Sequence, residues 1–270
     1  MFEFFKKKRT ILCLGGGAAR AIANIGVLKV LDQEKIPIDL IIGSSMGALV
    51  GAAYSVGRSV SYMIQRVEQF DVEEITDITL SRSAFTKGER LNRFITEVTD
   101  GKSFKDCKIP LAITATDLNT GEEYLFRSSD DPGNMQKIVQ ASCSWPAFFP
   151  PLEFNGKLLA DGGIKNSVPV KWAREIDPKA YIIAVKTGFE PQLIKYNHML
   201  EYLVQTIQIM GQELDRYQSL GASCVIEPDL HEFNQLDFAK IPIMLERGEL
   251  ACRKKIKKIK RRIDLRRIKT

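Results

Sequence analysis

Twice near its start the chain runs a short apolar segment into a cluster of glycines and then at once into a helical pattern. Thr10 to Leu14 is β-branched and apolar, ends in Gly15-Gly16-Gly17, and is followed by Ile22, Ile25, Leu28 and Leu31, one face of a helix that stops before Pro37. Asp39 to Ile42 is a second apolar strand, Gly43 to Gly47 is its turn, and a helix of small residues continues to about Val56. Strands joined through helices lie parallel, because a crossover must carry the chain back to the starting edge. Pro110 to Thr116, Glu123 to Phe126 and Tyr181 to Val185 are further strand candidates, with helical stretches around 88–98, 134–142, 168–176 and 197–219. The alternation predicts an α/β architecture with a largely parallel sheet.

At 270 residues and 44% apolar composition the chain can bury one sizeable core. No linker or repeat interrupts residues 10 to 250, so one domain is expected over 1–250, followed by a basic amphipathic tail over 251–270. Asp71 to Lys87 is polar with weak periodicity and is expected to form a mobile flap or surface connection; Ser128 to Asn134 reads as a turn. No apolar run approaches the length of a membrane span, and the first residues do not read as a secretory leader. Five scattered cysteines without a CxxC pair indicate a reducing compartment, hence a cytoplasmic protein, and with two histidines there is no basis for a metal site. Cys13 and Cys143 read as core or loop residues rather than nucleophiles.

Gly43-Ser44-Ser45-Met46-Gly47 fits GxSxG at a strand-to-helix turn, the context in which that pattern carries chemistry. Ser45 is the nucleophile candidate, lifted to a helix N-terminus where free amides favour negative charge; a simple N-cap is the bland reading. Gly15 to Arg20 stands at the other junction, and its small residues leave several amides unobstructed, as an oxyanion hole requires. A dinucleotide fingerprint would want glycine at Arg20 and an acid after the next strand, whereas Asp39 precedes that strand. Asp161 closes the apolar run Leu158 to Ala160 and is followed by Gly162 and Gly163, which permit close approach to a carboxylate.

Together these motifs resemble the patatin-like phospholipase family, supported by IGVLKVL (25–31), PLAITATDLNTGEEYLF (110–126), ASCSWPAFFPPLEFNGKLLADGG (141–163) and a late IEPDL with LDFAK (226–240). The resemblance implies a three-layer α/β/α sandwich and a serine acyl hydrolase acting on lipid acyl esters through a Ser-Asp dyad, with no cofactor. Carried over, Ser45 attacks the ester and Asp161 accepts its proton. Amides of Gly16, Gly17 and Ala18 would hold the oxyanion, and Arg20 would brace that loop or bind an anionic headgroup. The family has glycine where Ala18 and Ala21 stand, so the loop is expected to be relaxed or repositioned, because alanine resists positive φ.

Two rivals follow from the same residues. Ser45, Asp161 and His198 or His231 stand in the chain order of an α/β-hydrolase triad. A non-catalytic adaptor on the same fold would bind lipid or a protein partner. Trp145, Phe148 and Phe149 are candidates for an acyl-chain channel or for core.

The net charge of +6 is concentrated at the ends: residues 253–269 hold eleven Lys and Arg against one Asp, leaving 28 basic and 32 acidic residues elsewhere. In the tail Cys252, Ile256, Ile259 and Ile263 share one helix face, read as a peripheral contact with anionic membrane on the inner surface, with packing of the isoleucines on the domain beneath solvated charges as the alternative. The arm Phe2, Phe4, Phe5 and Lys6 to Arg9 would assist, and nucleic acid is set aside as a partner.

Overall fold

The computed structural model describes residues 9–77, 84–129, 134–188 and 199–267. The chain runs β1 (Thr10–Leu14), a 3₁₀ turn (Ala18–Ile22), α1 (Ala23–Gln33), β2 (Leu40–Gly43), α2 (Met46–Ser55), α3 (Val60–Glu68) and α4 (Glu89–Val98). It continues through β3 (Leu111–Asp117), β4 (Glu123–Arg127), α5 (Met135–Ser142), β5 (Leu152–Phe154), β6 (Lys157–Ala160), α6 (Gly163–Asn166) and α7 (Val170–Ile176). The last elements are β7 (Tyr181–Val185), α8 (Met199–Gln218), β8 (Cys224–Ile226) and α9 (Ile241–Arg267).

Among the described residues one mixed sheet of eight strands forms. Its centre, β3-β2-β1-β7-β8, is parallel, while β4, β5 and β6 are antiparallel additions at one margin. β1, β2 and β7 are buried on both faces, which explains their largely apolar sequences, whereas β3, equally buried, carries Thr114, Thr116 and Asp117. One core lies between the sheet and α1, α2, α4, α5 and α9; a second, smaller one lies between the opposite face and α7. The helices therefore make the two outer layers of a three-layer sandwich.

The register at β3 positions the site. β4 occupies one edge of β3 from Ala112 to Thr116. On the other edge β2 pairs as far as Ile113, where its Gly43 ends, and β6 takes over at Thr116 opposite Ala160. The ends of β2 and β6 therefore meet, and with them the residues that follow Gly43 and Ala160.

Residues 71–77 and 84–87 do not hang free. Asp77 accepts the amides of Lys87, Gly88, Glu89 and Arg90, so its carboxylate caps α4 and closes the segment on itself. Residues 78–83 of the expected flap, and 130–133 of the expected turn, lie outside the described residues.

The apolar stripe of the tail packs on the domain, the second of its two readings. The boundary expected after residue 250 falls inside α9, and the apolar stripe read as a lipid contact is occupied: Cys252, Ile259 and Ile263 are buried in the main core and Ile256 packs against it. α9 crosses α1 where both carry glycine. A Cβ on Gly26 would stand 2.0 Å from the Leu245 carbonyl oxygen, and one on Gly248 would stand 2.1 Å from that of Ala23. Ion pairs Lys29–Glu249 (2.5 Å) and Lys260–Glu34 flank the contact. The outer face, from Lys254 to Arg262, stays charged and exposed. Phe2, Phe4, Phe5 and Lys6 to Lys8 lie outside the described residues.

Candidate active site

The glycine loop after β1 and the turn after β2 are locked into each other. A Cβ on Gly47 would lie 2.3 Å from the Leu14 carbonyl oxygen and 2.6 Å from that of Gly15, and one on Gly16 would lie 3.0 Å from the Cβ of Ser45. The amide of Ser44 donates to Leu14 O at 3.2 Å. Ser44 itself is fully buried.

Ser45 takes φ 54° and ψ −131°, a conformation that L-residues rarely adopt. The sharp reversal at the end of β2 imposes it, and the surrounding contacts hold it. The Ser45 hydroxyl donates to Asp161 Oδ2 at 2.6 Å. Asp161 comes into reach because β6 succeeds β2 along β3, and because Gly162 lets the chain pass close: a Cβ there would meet Thr114 O at 2.6 Å and Ser44 Oγ at 2.9 Å. The second carboxylate oxygen accepts the Gly163 amide at 2.7 Å. Burial pushes the Asp161 carboxyl up to about 6, with the Ser45 hydroxyl and the Gly163 amide pulling the other way.

One residue that the sequence reading did not single out joins both halves. Ser142, at the end of α5, accepts the Ser45 amide on its hydroxyl at 2.8 Å and the Gly162 amide on its carbonyl at 3.3 Å. Ser144 O accepts the Asp161 amide at 3.1 Å. A serine in ASCSW carries no spacing signal, since its meaning depends on where α5 ends relative to β2 and β6.

The glycine loop is pinned by its carbonyls. Asn24 Nδ2 donates to Gly15 O at 3.0 Å, and Thr187 Oγ1 donates to Gly16 O at 2.5 Å. The Gly16 amide, expected to serve an oxyanion, is committed to Ser167 O at 3.1 Å. The amides of Gly17 and Ala18 have no hydrogen-bond partner among the described residues. Gly17 has φ 136° and Ala18 has φ 47°. The loop is thus not relaxed around its alanine, as expected, but holds Ala18 in the left-handed region. Ala21 is buried in the 3₁₀ turn without positive φ.

Arg20 is only 3% exposed, beneath the loop, and its charge acts on Asp215, whose carboxyl burial pushes up to about 6. Of its two expected roles, burial favours bracing. His231 is exposed and meets Asp229 at 2.8 Å, whereas Asp161 takes its bonds from Ser45 and Gly163. His198 lies outside the described residues. Burial raises the Cys13 and Cys143 thiols well above the usual range, which suits core residues rather than nucleophiles. Among the described residues no cluster of metal-ligating side chains forms and no helix is long and apolar enough to cross a membrane.

A cleft of about 620 Å³, its mouth included, lies between α2, α3 and α4, with Ile22 and Met46, the residue after Ser45, among its walls and Phe70, Phe94 and Phe238 further along them. No polar atom faces its space. Trp145, Phe148 and Phe149 are not among its walls; Trp145 stacks on Phe148 with ring centres 4.7 Å apart. Arg66, at the side of the cleft, is held by Glu74 and by Glu97 at 2.7 Å.

Residues 12–174 match the family described as patatin-like phospholipase. Patatin-like phospholipase domain-containing protein 6 of Mus musculus is 32% identical over 189 residues, covering 67% of this chain and 14% of that protein. An uncharacterized NTE family protein of Mycobacterium tuberculosis is 26% identical over 268 residues, covering 90% of this chain and 45% of that protein. The chain thus spans less than half the length of these relatives. Among solved structures, VipD from Legionella pneumophila superposes with a TM-score of 0.67 at 12% identity, covering 96% of this chain and 67% of that one. The type III effector protein ExoU superposes with a TM-score of 0.51 at 12% identity, covering 94% and 53%. At such identity these two share the fold.

Proposed function

The chain belongs to the patatin-like phospholipase family, and from that membership we propose that it hydrolyses lipid acyl esters with Ser45 as nucleophile and Asp161 as general base. The bond from the Ser45 hydroxyl to Asp161 Oδ2, made by a serine held at positive φ, is the observation that carries this reading. In the ionised state Asp161 takes the hydroxyl proton as Ser45 Oγ attacks the ester carbonyl, and returns it to the leaving alcohol. Water, activated by the same carboxylate, then releases the acyl group. Negative charge on the carbonyl oxygen would be met by the amides of Gly17 and Ala18, with the N-terminus of α2 adding a favourable dipole. Arg20 keeps the loop in place, and the dyad route requires no cofactor.

The apolar cleft walled in part by Met46 would take the acyl chain, burying its methylenes at about 0.8 kcal/mol each. The outer Lys and Arg face of α9 would add long-range attraction to anionic lipid without insertion, about 1 kcal/mol per residue at most. The adaptor alternative rests on the altered glycine loop alone, and the left-handed backbone of Ala18 leaves it little support.

The test is turnover of a p-nitrophenyl acyl ester. Ser45→Ala should lose on the order of 10³-fold or more, because the covalent route is gone. Ser44→Ala should keep most of it. An active Ser45→Ala protein sinks the assignment, and a dead Ser44→Ala protein beside it moves the nucleophile by one residue.

A further inference from the structure

α8 wears its two faces the wrong way round for a helix on a soluble domain. Its inward side carries Gln205, Gln208, Gln212, Asp215 and Gln218, all at least half-buried, with Asp215 2% exposed. Leu203, Ile207, Met210, Leu214 and Tyr217 point outward, Met210 at 63% and Tyr217 at 64% exposure. Tyr202 and Ile209, also exposed, widen that row to an arc of roughly 160° at about 3.6 residues per turn. Glu213, within the arc, pairs at 3.3 Å with Arg216 just beyond its edge, so the pair leaves the face without net charge. A contiguous apolar face of this size marks a surface made to be covered.

The inward polar face is engaged, which fixes this orientation. Gln218 accepts the Val168 amide at 3.2 Å and donates to Lys165 O at 2.8 Å, and Ser167 hydrogen-bonds the Asp215 carboxyl. These partners belong to the turn that follows Asp161 through α6. α8 is therefore anchored beside the dyad, with its apolar face outward.

We propose that the outer face of α8 is the surface by which this chain seats on a neutral lipid interface, an inference that rests on the lipid-hydrolase reading above. Two features favour lipid over a second copy of the chain. A helix pair joined by knobs in holes needs two apolar positions in seven, and Leu203, Ile207, Met210, Leu214 and Tyr217 alone would supply them; Tyr202 and Ile209 extend the face beyond that seam. Tyrosines stand near both ends of the face, the side chain that suits a boundary between acyl chains and water. The opposite, polar side of α8 is the one that holds the turn beyond the proposed base, so a lipid layer on the outer face would lie one helix away from that turn. With Glu213 and Arg216 cancelling, the attraction of the outer face is apolar and insensitive to salt, unlike that of the α9 face.

The test uses the full chain carrying Ser45→Ala, so that binding is read without turnover, and vesicles of phosphatidylcholine at low and high salt. Co-sedimentation should be equal at both salt concentrations. Adding Ile207→Glu, Met210→Glu and Leu214→Glu should lower the partition at least tenfold. In the Ser45 background those three substitutions, all on exposed positions, should leave turnover of a water-soluble p-nitrophenyl ester within twofold, which separates loss of docking from loss of the fold or of the catalytic reading. Unchanged partition of the triple-glutamate chain overturns the proposal, as does failure to bind phosphatidylcholine or binding that vanishes at high salt. A dimer in sedimentation velocity that the three substitutions dissolve gives the face to a second copy instead.

Discussion

The two strand-to-helix junctions that open the chain are built from the same parts and do opposite things with them. After β2 the positive φ falls on Ser45, so the turn projects a side chain; after β1 it falls on Gly17 and Ala18, so the turn presents backbone. At the first the amide is consumed, by Ser142 Oγ, and the hydroxyl is put to use. At the second the carbonyls are consumed, by Asn24 and Thr187, and two amides are left open among the described residues. Glycine serves both as a means of close approach: Gly47 and Gly16 let the two turns interlock, which places the projected side chain next to the presented amides. What separates the proposed nucleophile turn from the proposed anion-binding turn is which group the described neighbours leave without a partner.

The sharpest test of the proposed nucleophile junction is its proposed base. Asp161→Asn should cost on the order of 10³-fold in kcat/KM, since an amide cannot accept the serine proton. The same variant should be the more stable protein at neutral pH. The folded carboxyl titrates at about 6 and an unperturbed one near 3.8. Below about pH 4 both states hold the proton, and burial costs nothing extra. Between about 4 and 6 the unfolded state ionises first, and above 6 the folded state carries a buried charge costing about 3 kcal/mol at most. Thermal unfolding should show the asparagine variant level with the parent at pH 4 and ahead of it at pH 8. The activity of the parent should fall through an acid limb near pH 6. A stability gap that is widest at pH 4, or a flat rate profile from 5 to 8, would mean that Asp161 is not the buried base described here.

Ser142→Ala probes how far the nucleophile turn depends on its clamp. The Ser45 amide would lose its acceptor beside a strained residue, a loss of about 1 to 3 kcal/mol. Turnover should fall about tenfold to a hundredfold through kcat with KM little changed, because the serine and not the acyl cleft is displaced. Ser142→Thr, which keeps the hydroxyl, should recover much of it. Equal loss in both variants would point to packing at the end of α5 rather than to the hydrogen bond.

The junctions were legible because a junction is written locally. β1, the glycine loop, β2 and the GxSxG turn fall where the residues place them, and β7 spans the same five residues in sequence and structure. α3 escaped notice because only Val60 and Met63 of its residues are buried, while β5 and β8, of three residues each, are too short to show a period. Asp161 was singled out from its glycines, but its distance to Ser45 depends on β6 replacing β2 along one edge of β3, a long-range pairing. The two late helices mark a different limit. Amphipathy in α9 was read as a lipid face, yet Gly26 and Gly248 bring α9 against α1 and the isoleucines are buried there. In α8 the helix fell at 199–218 against an expected 197–219, but the side turned to the domain is the polar one. A periodic pattern identifies a face; the partner that covers it is a tertiary fact.

The anion-binding junction is tested by the smallest change. Ala18 sits at φ 47°, where a Cβ costs about 1 kcal/mol relative to glycine. Ala18→Gly removes that strain but gives the unfolded chain more conformations, which returns about 0.4 to 1 kcal/mol. The two terms nearly cancel, so unfolding by denaturant should shift by less than about 1 kcal/mol. Turnover separates the remaining possibilities, because the geometry of the Ala18 amide bears on the transition state and not on the unfolded chain. If the alanine strains the amide away from the oxyanion, glycine should raise kcat, by up to about tenfold for 1.4 kcal/mol recovered. If the pinned carbonyls of Gly15 and Gly16 already fix the amide, kcat should not move. Ala21→Gly is the control: its backbone lies outside the left-handed region and its side chain is buried, so it should lose stability without any gain in turnover. A fall in kcat for Ala18→Gly at unchanged stability would show that the alanine holds the loop in its working shape. The two junctions would then differ in one more respect: the nucleophile turn tolerates strain at Ser45, and the amide turn depends on it.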